Sequence, residues 1–223
     1  MYQSLVNFNH GSFGAVPKMV MQAQHNFHEK QESCPELWFR EWYSTYINTG
    51  REKLAVLINS TLDEVVFVEN ASYAVNSVVS SFPFKDGDVV ICFDCAYMMT
   101  MEALRIASIK TSLNIVYIPI EYPIQSVDRI IWSLQEELLK HESVAMCIFD
   151  HVSSMPSILM PVAELTTLAK SKGAMVLIDG AHAPGMVDID VTAIGADAYT
   201  GNCHKWLFAP KGTAFLYTRR DVQ

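Results

Sequence analysis

Met175-Val176-Leu177-Ile178 runs directly into Asp179-Gly180-Ala181-His182, so a short apolar run ends in an acid, a glycine and a histidine. Farther along, Thr200-Gly201-Asn202-Cys203-His204-Lys205-Trp206 places one lysine in a short polar loop between two apolar runs. Short, continuous apolar runs are typical of strands that are buried on both faces of a parallel sheet. Ligands of such sheets bind beyond the carboxyl ends of the strands, which predicts one site containing Asp179, His182 and Lys205.

The same alternation extends over most of the chain. Strands are predicted at 65–68, 89–93, 114–118, 144–149, 175–178, 198–199 and 213–218, and helices at 16–31, 37–58, from 73 onward, at 126–141 and at 163–171. This order predicts an α/β fold with a mostly parallel sheet covered by helices. We divide the chain into a helical N-terminal segment, residues 1–60, and an α/β cofactor-binding core, residues 61–223. Polar side chains follow three further strands, at Asn70, Asp94 and Asp150.

Composition argues against several classes of protein. Of the 223 residues, 50% are hydrophobic and 18% are charged, which permits a sizeable core and disfavours global disorder. The formal charge of −8, without a cluster of Lys and Arg, argues against a nucleic-acid surface. No run approaches the roughly 18 apolar residues that span a bilayer, and Met1-Tyr2-Gln3-Ser4 lacks the basic start of a secretory signal. Five scattered cysteines fit a reducing compartment, so a cytoplasmic protein that binds neither nucleic acid nor membrane is predicted.

The chemistry of the site is predicted from its lysine and its acid. Lys205 lies between His204 and Trp206, where burial and nearby positive charge lower the pKa of a lysine and favour its action as nucleophile and base. A loop lysine that forms a Schiff base and a strand-end acid that keeps a pyridine nitrogen protonated are the parts of a pyridoxal 5′-phosphate site. The alternatives are a solvated surface lysine, a capping or turn role for Asp179 and a structural role for His182.

Two other patterns are discounted as metal sites. Cys92-Phe93-Asp94-Cys95 has the Cys-x-x-Cys spacing, but a zinc site requires a second pair of ligands, and none is evident. A redox role requires the first cysteine at the start of a helix, whereas Cys92 ends an apolar run. His25 and His28 lie three residues apart without a third ligand. No metal site is therefore predicted.

The stretch from Ile178 to Tyr217 resembles the class V aminotransferase family of pyridoxal phosphate enzymes, which have the aspartate aminotransferase-type (type I) fold. The segments Asn7-Phe8-Asn9-His10-Gly11-Ser12-Phe13-Gly14 and Phe149-Asp150-His151-Val152-Ser153-Ser154 resemble motifs of its isopenicillin N epimerase-like branch. The resemblance runs through essentially the whole chain. Related members include cysteine desulfurases, cysteine desulfhydrases and a sulfoxide lyase of ergothioneine synthesis.

The resemblance implies a role for individual residues around the cofactor ring. Lys205 would form the Schiff base, and Asp179 would pair with the pyridine nitrogen. His182 would hydrogen-bond the 3′-oxygen, where many relatives have Gln. Tyr97 would stack on the ring, unless it is an ordinary core or helix-start tyrosine, and Ser154 would contact the ring substituents.

Further residues are assigned by the same resemblance to the phosphate and the substrate. The phosphate would be held at a turn before a helix and beside the lysine, by Ala71, Ser72, Asn202 and His204. Backbone N–H groups at a helix start suit a phosphate on physical grounds as well. Asn9, His10 and Ser12 are expected to face the substrate.

The sequence also departs from the family pattern. Relatives commonly have Tyr-Gly-Ala where this chain has Tyr97-Met98-Met99, and Ser-Pro where it has Ser154-Met155-Pro156. Both differences could alter the pocket. The family's C-terminal small domain, with an arginine for the substrate carboxylate, is missing from the predicted elements. The chain is therefore expected to be a fragment, a short isoform or a truncated product.

The predicted function is that of a pyridoxal phosphate-dependent enzyme acting on an amino acid or related amine through Lys205. Epimerase or cysteine desulfhydrase-like C–S lyase chemistry is favoured by resemblance, and amino transfer stays open. A homodimer with sites at the subunit interface is implied by the family. The alternative is a truncated, non-catalytic fragment that binds the cofactor weakly or pairs with a full-length homologue.

Overall fold

The computed structural model describes residues 6–223, apart from the side chain of Phe13. Met1-Tyr2-Gln3-Ser4, where no secretory signal is predicted, lies outside the described residues. The described residues form one seven-stranded sheet in the order β1-β7-β6-β5-β4-β2-β3. Its strands are β1 (Val65–Val68), β2 (Val89–Phe93), β3 (Asn114–Ile118), β4 (Met146–Asp150), β5 (Met175–Asp179), β6 (Ala198–Asn202) and β7 (Ala214–Thr218). The five strands β6, β5, β4, β2 and β3, which are neighbours in that order, run parallel to one another. Strand β7 is antiparallel to both of its neighbours, β6 and β1.

Helices connect most of the strands. They are α1 (His10–Phe13), α2 (Lys18–Ser33), α3 (Pro35–Leu37), α4 (Tyr43–Leu57), α5 (Ala71–Ser81), α6 (Met98–Thr111), α7 (Val127–Leu138), α8 (Val162–Lys170) and α9 (Val191–Ile194). The predicted helix 37–58 is thus continued through a π-helical segment, Trp38–Trp42, into α4. Across residues 6–223, no helix combines the length and the apolar character needed to cross a membrane.

Both faces of the sheet are covered, because successive side chains of a strand point to opposite faces. On one face, Val90 and Leu177 pack in a core with residues of α5 and α6. On the other face, Ile91 and Ile178 pack in a core with residues of α4, α7 and α8. The predicted α/β fold with a mostly parallel, helix-covered sheet is confirmed.

Helix α6 is the main element that the sequence pattern does not predict. It buries Thr100, Ala103 and Leu104, while Ile106 and Ile109 are exposed. A helix is recognised from its sequence when apolar residues recur on one face. The buried face of α6 is instead made partly of small or polar side chains, so its position depends on tertiary packing.

Strand β6 is longer than predicted, since it extends to Asn202 instead of ending at residue 199. Its polar residues are hidden by pairing with apolar β7, where Thr200 lies opposite Leu216. At Gly201 a Cβ atom would lie 2.6 Å from the Phe215 ring, so only glycine allows this close approach. The extension brings Asn202 to the carboxyl end of the sheet, beside the loop of the candidate lysine.

Candidate active site

A cavity of about 340 Å³ lies at the carboxyl ends of β4, β5 and β6. Nine of the residues predicted for catalysis and cofactor binding line it, namely Ala71, Ser72, Tyr97, Ser154, Asp179, His182, Asn202, His204 and Lys205. Of the strand-end candidates, Asn70 and Asp150 also line it. Asp94 is not among the lining residues, and its carboxylate accepts a hydrogen bond from the Ile120 N–H instead.

Asp179 ends β5 and is only 3% exposed. Its carboxylate accepts hydrogen bonds from the backbone N–H of Ala181 at 3.0 Å and from Oγ1 of Thr100 at 3.2 Å. Burial raises the pKa of Asp179, while the Ala181 hydrogen bond, the charge of Lys205 and Thr100 act in the opposite direction. No cation of the described residues forms an ion pair with this carboxylate within 4 Å. Thr100 was missed in the sequence because α6 was missed.

Lys205 follows β6 and is partly buried, unlike a solvated surface lysine. Its Nζ lies 2.8 Å from Nε2 of His182. Burial lowers the pKa of Lys205, and the charges of Asp179 and Asp150 partly oppose that shift. A larger share of the amine is therefore uncharged at neutral pH than for an exposed lysine, which favours a nucleophile or a base.

The start of helix α5 forms another wall of the cavity. Asn70 caps the helix by accepting a hydrogen bond from the Tyr73 N–H at 2.8 Å, and the N–H of Ala71 donates to Oδ1 of Asn202 at 2.9 Å. Asn202 thus ties β6 to the helix start, and the Ala71 amide already has a partner. Ser72, in the first turn, also lines the cavity.

We expect Asn202→Ala to reduce the free energy of unfolding by about 1–3 kcal/mol, since it leaves the buried Ala71 N–H without its acceptor. Asn202→Asp keeps an acceptor oxygen at this position and is expected to retain most of the stability. Urea unfolding of the two variants measures the difference. Equal losses in both would show that the hydrogen bond to Ala71 is not the cause.

His204 holds a fixed ring orientation beside the lysine. Its Nδ1 lies 2.9 Å from the carbonyl oxygen of Thr213, which can only accept a hydrogen bond, so Nδ1 carries a proton. Burial lowers the pKa of His204. The neutral ring therefore presents Nε2 as an acceptor, and a hydrogen bond from Nε2 to a phosphate requires a second proton.

The remaining predicted residues lie around the opening. Tyr97 directly precedes α6, lines the cavity and is 41% exposed, and Ser154 lines it from the loop after β4. Asn9 and His10 are not among the lining residues, whereas Ser12 is. The His10 ring packs 4.4 Å from the ring of Phe208, between centroids. The N-terminal segment thus adjoins the lysine loop, but Ser12 is its residue on the cavity wall.

Asp150 is a second buried acid of the cavity, for which the sequence suggested no role. It ends β4 directly opposite Asp179 in the parallel register and is 7% exposed. Burial and the charge of Asp179 raise the pKa of Asp150. Two carboxyl groups therefore line one end of the site beside a single lysine.

His151, the residue after Asp150, is expected to make the free energy of unfolding depend on pH. His151 is buried, its Nδ1 lies 2.8 Å from the Tyr199 hydroxyl, and burial lowers its pKa to about 4. Because an unfolded histidine has a pKa of about 6.5, the unfolded chain binds a proton between these values that the folded chain excludes. The contribution of neutral His151 is thus complete above pH 6.5 and is lost as the pH falls towards 4.

We expect the lowered pKa of His151 to reduce the free energy of unfolding by about 2–3 kcal/mol as the pH falls from 7 to about 4.5. His151→Asn places an acceptor near the position of Nδ1 without a titrating group, so the variant should lack this part of the pH dependence. Urea unfolding of both proteins at the two pH values gives the comparison. Parallel pH profiles for the two proteins would contradict the assignment.

The Cys-x-x-Cys pair consists of one buried thiol, Cys92, and one partly buried thiol, Cys95. Burial and nearby negative charge raise the pKa of both Cys92 and Cys95 to about 12. Both thiols are therefore protonated at neutral pH. Among the described residues, no cluster of three or more His, Cys, Asp or Glu side chains is placed to hold a metal ion.

Comparison with known proteins identifies the family. The model of the family described as Aminotransferase class-V matches residues 7–223. This chain belongs to the class V aminotransferase family. The resemblance seen between Ile178 and Tyr217 is confirmed, and pyridoxal 5′-phosphate is the cofactor of this family.

Curated relatives of this class V aminotransferase chain include enzymes of different reactions. It is 32% identical to an L-cysteine desulfhydrase of Arabidopsis thaliana, over 97% of this chain and 50% of the relative. It is 28% identical to an isopenicillin N epimerase of Streptomyces clavuligerus, over 96% of this chain and 53% of the relative. The chain thus spans about half the length of the curated relatives it matches.

A solved structure supports the type I fold of this class V aminotransferase chain. A cystine C–S lyase in complex with its product, cysteine persulfide, superposes with a TM-score of 0.89 at 19% identity. The match covers 96% of this chain and 57% of the lyase. The two proteins therefore share the architecture of the sheet at whose carboxyl edge the cavity lies.

The residues of the cavity fit pyridoxal phosphate. The carboxylate of Asp179 is buried without a cation within ion-pair distance in the described chain, and the protonated nitrogen of a pyridine ring is a partner of the required charge. The Lys205 amine lines the same cavity with a lowered pKa. Asn70, Ala71 and Ser72 bring the N-terminal end of α5, which favours anions, to the cavity wall.

Proposed function

We propose that the protein acts on an amino acid or a related amine by C–S lyase or epimerase chemistry, with Lys205 holding the cofactor covalently. The observation that carries this proposal is that the Lys205 amine and the buried Asp179 carboxylate line one cavity of about 340 Å³. The desulfhydrase and the epimerase among its relatives are consistent with this range of reactions. Both reactions begin with loss of the proton at the substrate's α-carbon.

Lys205 is the residue that we assign to move this proton. Its partly buried amine has a lowered pKa, so it accepts a proton near neutral pH and returns it. When it is not bonded to the cofactor, the Lys205 amine would be free to act as a base. His182, 2.8 Å away, keeps the amine on the side of the cavity where the ring would lie.

Asp179 is the residue that we assign to the pyridine nitrogen. When bound, pyridoxal phosphate supplies an electron sink for the pair left behind by the departing α-proton. Asp179 would accept a hydrogen bond from the protonated ring nitrogen, and Thr100 with the Ala181 N–H fixes the orientation of its carboxylate. Because the site is buried, this charge pair is stronger than it would be in water.

The phosphate is assigned to the opposite wall, between α5 and the lysine loop. Ser72 contributes a hydroxyl, and the N-terminal end of α5 contributes partial positive charge. Asn202 acts here by holding the Ala71 amide, and His204 would contact the phosphate once its Nε2 is protonated as well. Tyr97 would stack on the ring, and Ser154 would contact the ring substituents. Asn9, His10 and Ser12 are assigned to the substrate side, where Ser12 already lines the cavity.

Exchange of the α-proton tests this function for both candidate reactions at once. The protein is loaded with pyridoxal phosphate and incubated with cysteine and other amino acids in D₂O, and deuterium at the α-carbon is followed by NMR. We expect exchange with at least one amino acid, and sulfide release then distinguishes a C–S lyase from an epimerase. Bound cofactor without exchange for any amino acid would contradict the proposed function.

We also propose that the protein forms a homodimer. Large apolar side chains are exposed on its N-terminal helical segment, among them Met19 on α2 and Phe39 in the π-helical part. The segment is attached to the core through Arg51, whose guanidinium donates to the carbonyl oxygens of Leu62 and Val65. The division at residue 60 into a helical segment and a cofactor-binding core stays a proposal, and α4 of the segment packs in the same hydrophobic core as the sheet. Light scattering of the purified protein measures the oligomeric state.

A cytoplasmic location is proposed from the cysteines. All five, Cys34, Cys92, Cys95, Cys147 and Cys203, are free thiols in the structure. Free thiols are characteristic of reducing compartments. Fluorescent tagging of the protein in cells of its source tests the location.

A further inference from the structure

The candidate lysine is the end of a chain of three hydrogen-bonded side chains. The indole Nε1 of Trp206 donates to Nδ1 of His182 over 3.4 Å. Nε2 of the same imidazole lies 2.8 Å from Nζ of Lys205. All three side chains are partly buried, so water competes weakly for these contacts. Trp206 has no part in the chemistry proposed above.

The direction of each hydrogen bond follows from the chemistry of the three groups. An indole nitrogen can only donate, so Nδ1 of His182 is the acceptor and carries no proton. Burial lowers the pKa of His182 to about 4, so the ring is neutral at pH 7. Its one proton is therefore on Nε2 and points to Nζ of Lys205. An ammonium group has no lone pair to accept this proton, whereas an uncharged amine has one.

We propose that Trp206 is a positioning residue that selects the Nε2–H tautomer of His182 and thereby keeps the Lys205 amine uncharged. An uncharged amine is the form that can bond to the aldehyde of the cofactor, so this inference rests on the proposed function. A charged Lys205 would need Nε2 as acceptor, which moves the ring proton to Nδ1. There it would face the indole N–H of Trp206, and two donors repel each other.

The charged groups around Lys205 make such a selection useful. The carboxylates of Asp179 and Asp150 both favour the ammonium form, while burial of the amine opposes them. His204 holds its proton on Nδ1, towards the carbonyl of Thr213. The hydrogen bond from His182 favours the uncharged amine, as burial does, and so opposes the effect of the two carboxylates.

The N-terminal segment keeps the indole and the imidazole in place. Gly11 lies against both rings, since a Cβ atom at this position would be 2.9 Å from Cζ2 of Trp206 and 3.0 Å from Cε1 of His182. The His10 ring also packs near the indole, at 5.9 Å between ring centroids. The imidazole is therefore held between the lysine, the indole and this backbone.

The tautomer is measured directly by ¹⁵N NMR of the cofactor-free protein at pH 7, with His182→Gln to assign the signal. We expect the Nε2–H tautomer in the unmodified protein and a mixture of tautomers in Trp206→Phe, which keeps an aromatic ring but removes the donor. The second measurement is the rate of covalent capture of pyridoxal phosphate as a function of pH. In Trp206→Phe the midpoint should move to higher pH, and capture at pH 7 should slow by about three- to tenfold.

Trp132→Phe serves as the matched control, because Trp132 lies on α7, is 54% exposed and does not line the cavity. It should change neither the tautomer nor the pH midpoint. An Nδ1–H tautomer in the unmodified protein would overturn the inference, as would an unchanged tautomer and midpoint in folded Trp206→Phe. Because the tautomer is measured in the unmodified protein, this result can overturn the inference even where Trp206→Phe does not fold. Failure of the proposed function is a distinct result, in which no protein captures the cofactor although the Nε2–H tautomer is present.

Discussion

Lys205→Ala is expected to abolish covalent attachment of pyridoxal phosphate and to slow α-proton exchange by about a thousandfold or more. The variant removes both the group that bonds to the cofactor and the base that we assign to the α-proton. The fold should persist, because Lys205 is only partly buried and its hydrogen bond is to one side chain, His182. The exchange rate in D₂O and the amount of cofactor retained after borohydride reduction measure the two effects separately.

Lys211→Ala is the matched control for this experiment. Lys211 lies six residues further along the same region, outside the cavity lining, where its Nζ donates to the carbonyl oxygen of Gly14 at 2.8 Å. Its removal should leave cofactor attachment intact. Retention of the full exchange rate in Lys205→Ala, or loss of cofactor attachment in Lys211→Ala alone, would show that Lys205 is not the lysine that carries the chemistry.

Asp179→Asn is expected to slow α-proton exchange by about a hundred- to a thousandfold and to weaken cofactor binding. The amide oxygen can still accept the hydrogen bond from the Ala181 N–H, and the amide NH2 can donate to the Thr100 hydroxyl, but the side chain has no charge to keep the pyridine nitrogen protonated. The same change should make the cofactor-free protein more stable at pH 7. Burial raises the pKa of this carboxyl, so its ionised form costs stability above the ordinary Asp pKa, and the difference should disappear below it.

Asp197→Asn is the comparison that separates a functional from a structural acid. Asp197 is also buried, but its carboxylate pairs with Lys170 and Arg219 at 3.0 Å each and accepts the Val176 N–H. Its replacement should reduce the free energy of unfolding by about 1–3 kcal/mol without a specific effect on the cofactor. Urea unfolding and cofactor titration of both variants provide the test. A loss of stability in cofactor-free Asp179→Asn would contradict our view of Asp179 as an acid held ready for a cation.

The sequence predicts the sheet well because its strands are short runs of apolar residues. The predicted strands 65–68, 89–93 and 114–118 coincide with β1, β2 and β3, since each is a short apolar run bounded by polar or turn residues. Strand β6 shows the limit of this signal. Its second half is Thr200, Gly201 and Asn202. These residues are buried because they pair with β7 and because Gly201 packs against the Phe215 ring of that strand.

The site was predictable where it is coded by local sequence. Asp179 is the last residue of β5 and Lys205 lies three residues after β6, so their positions at one edge of the sheet follow from the topology. Thr100 was not predictable, because it reaches Asp179 from α6, whose apolar pattern is weak. Trp206 is adjacent to Lys205 in sequence, but its contact with His182 depends on ring orientations that no local pattern specifies. In the N-terminal segment the sequence indicates Asn9, His10 and Ser12 together, but not that Ser12 is the one of the three that lines the cavity.

The most direct test of the central claim is to locate the cofactor on the chain. The protein is incubated with pyridoxal phosphate and reduced with borohydride, and the labelled peptide is identified by mass spectrometry. We predict one label per chain on the peptide that contains Lys205, and loss of that label in Lys205→Ala. A folded protein that carries no label, or carries it spread over surface lysines such as Lys18 and Lys110, would contradict the account.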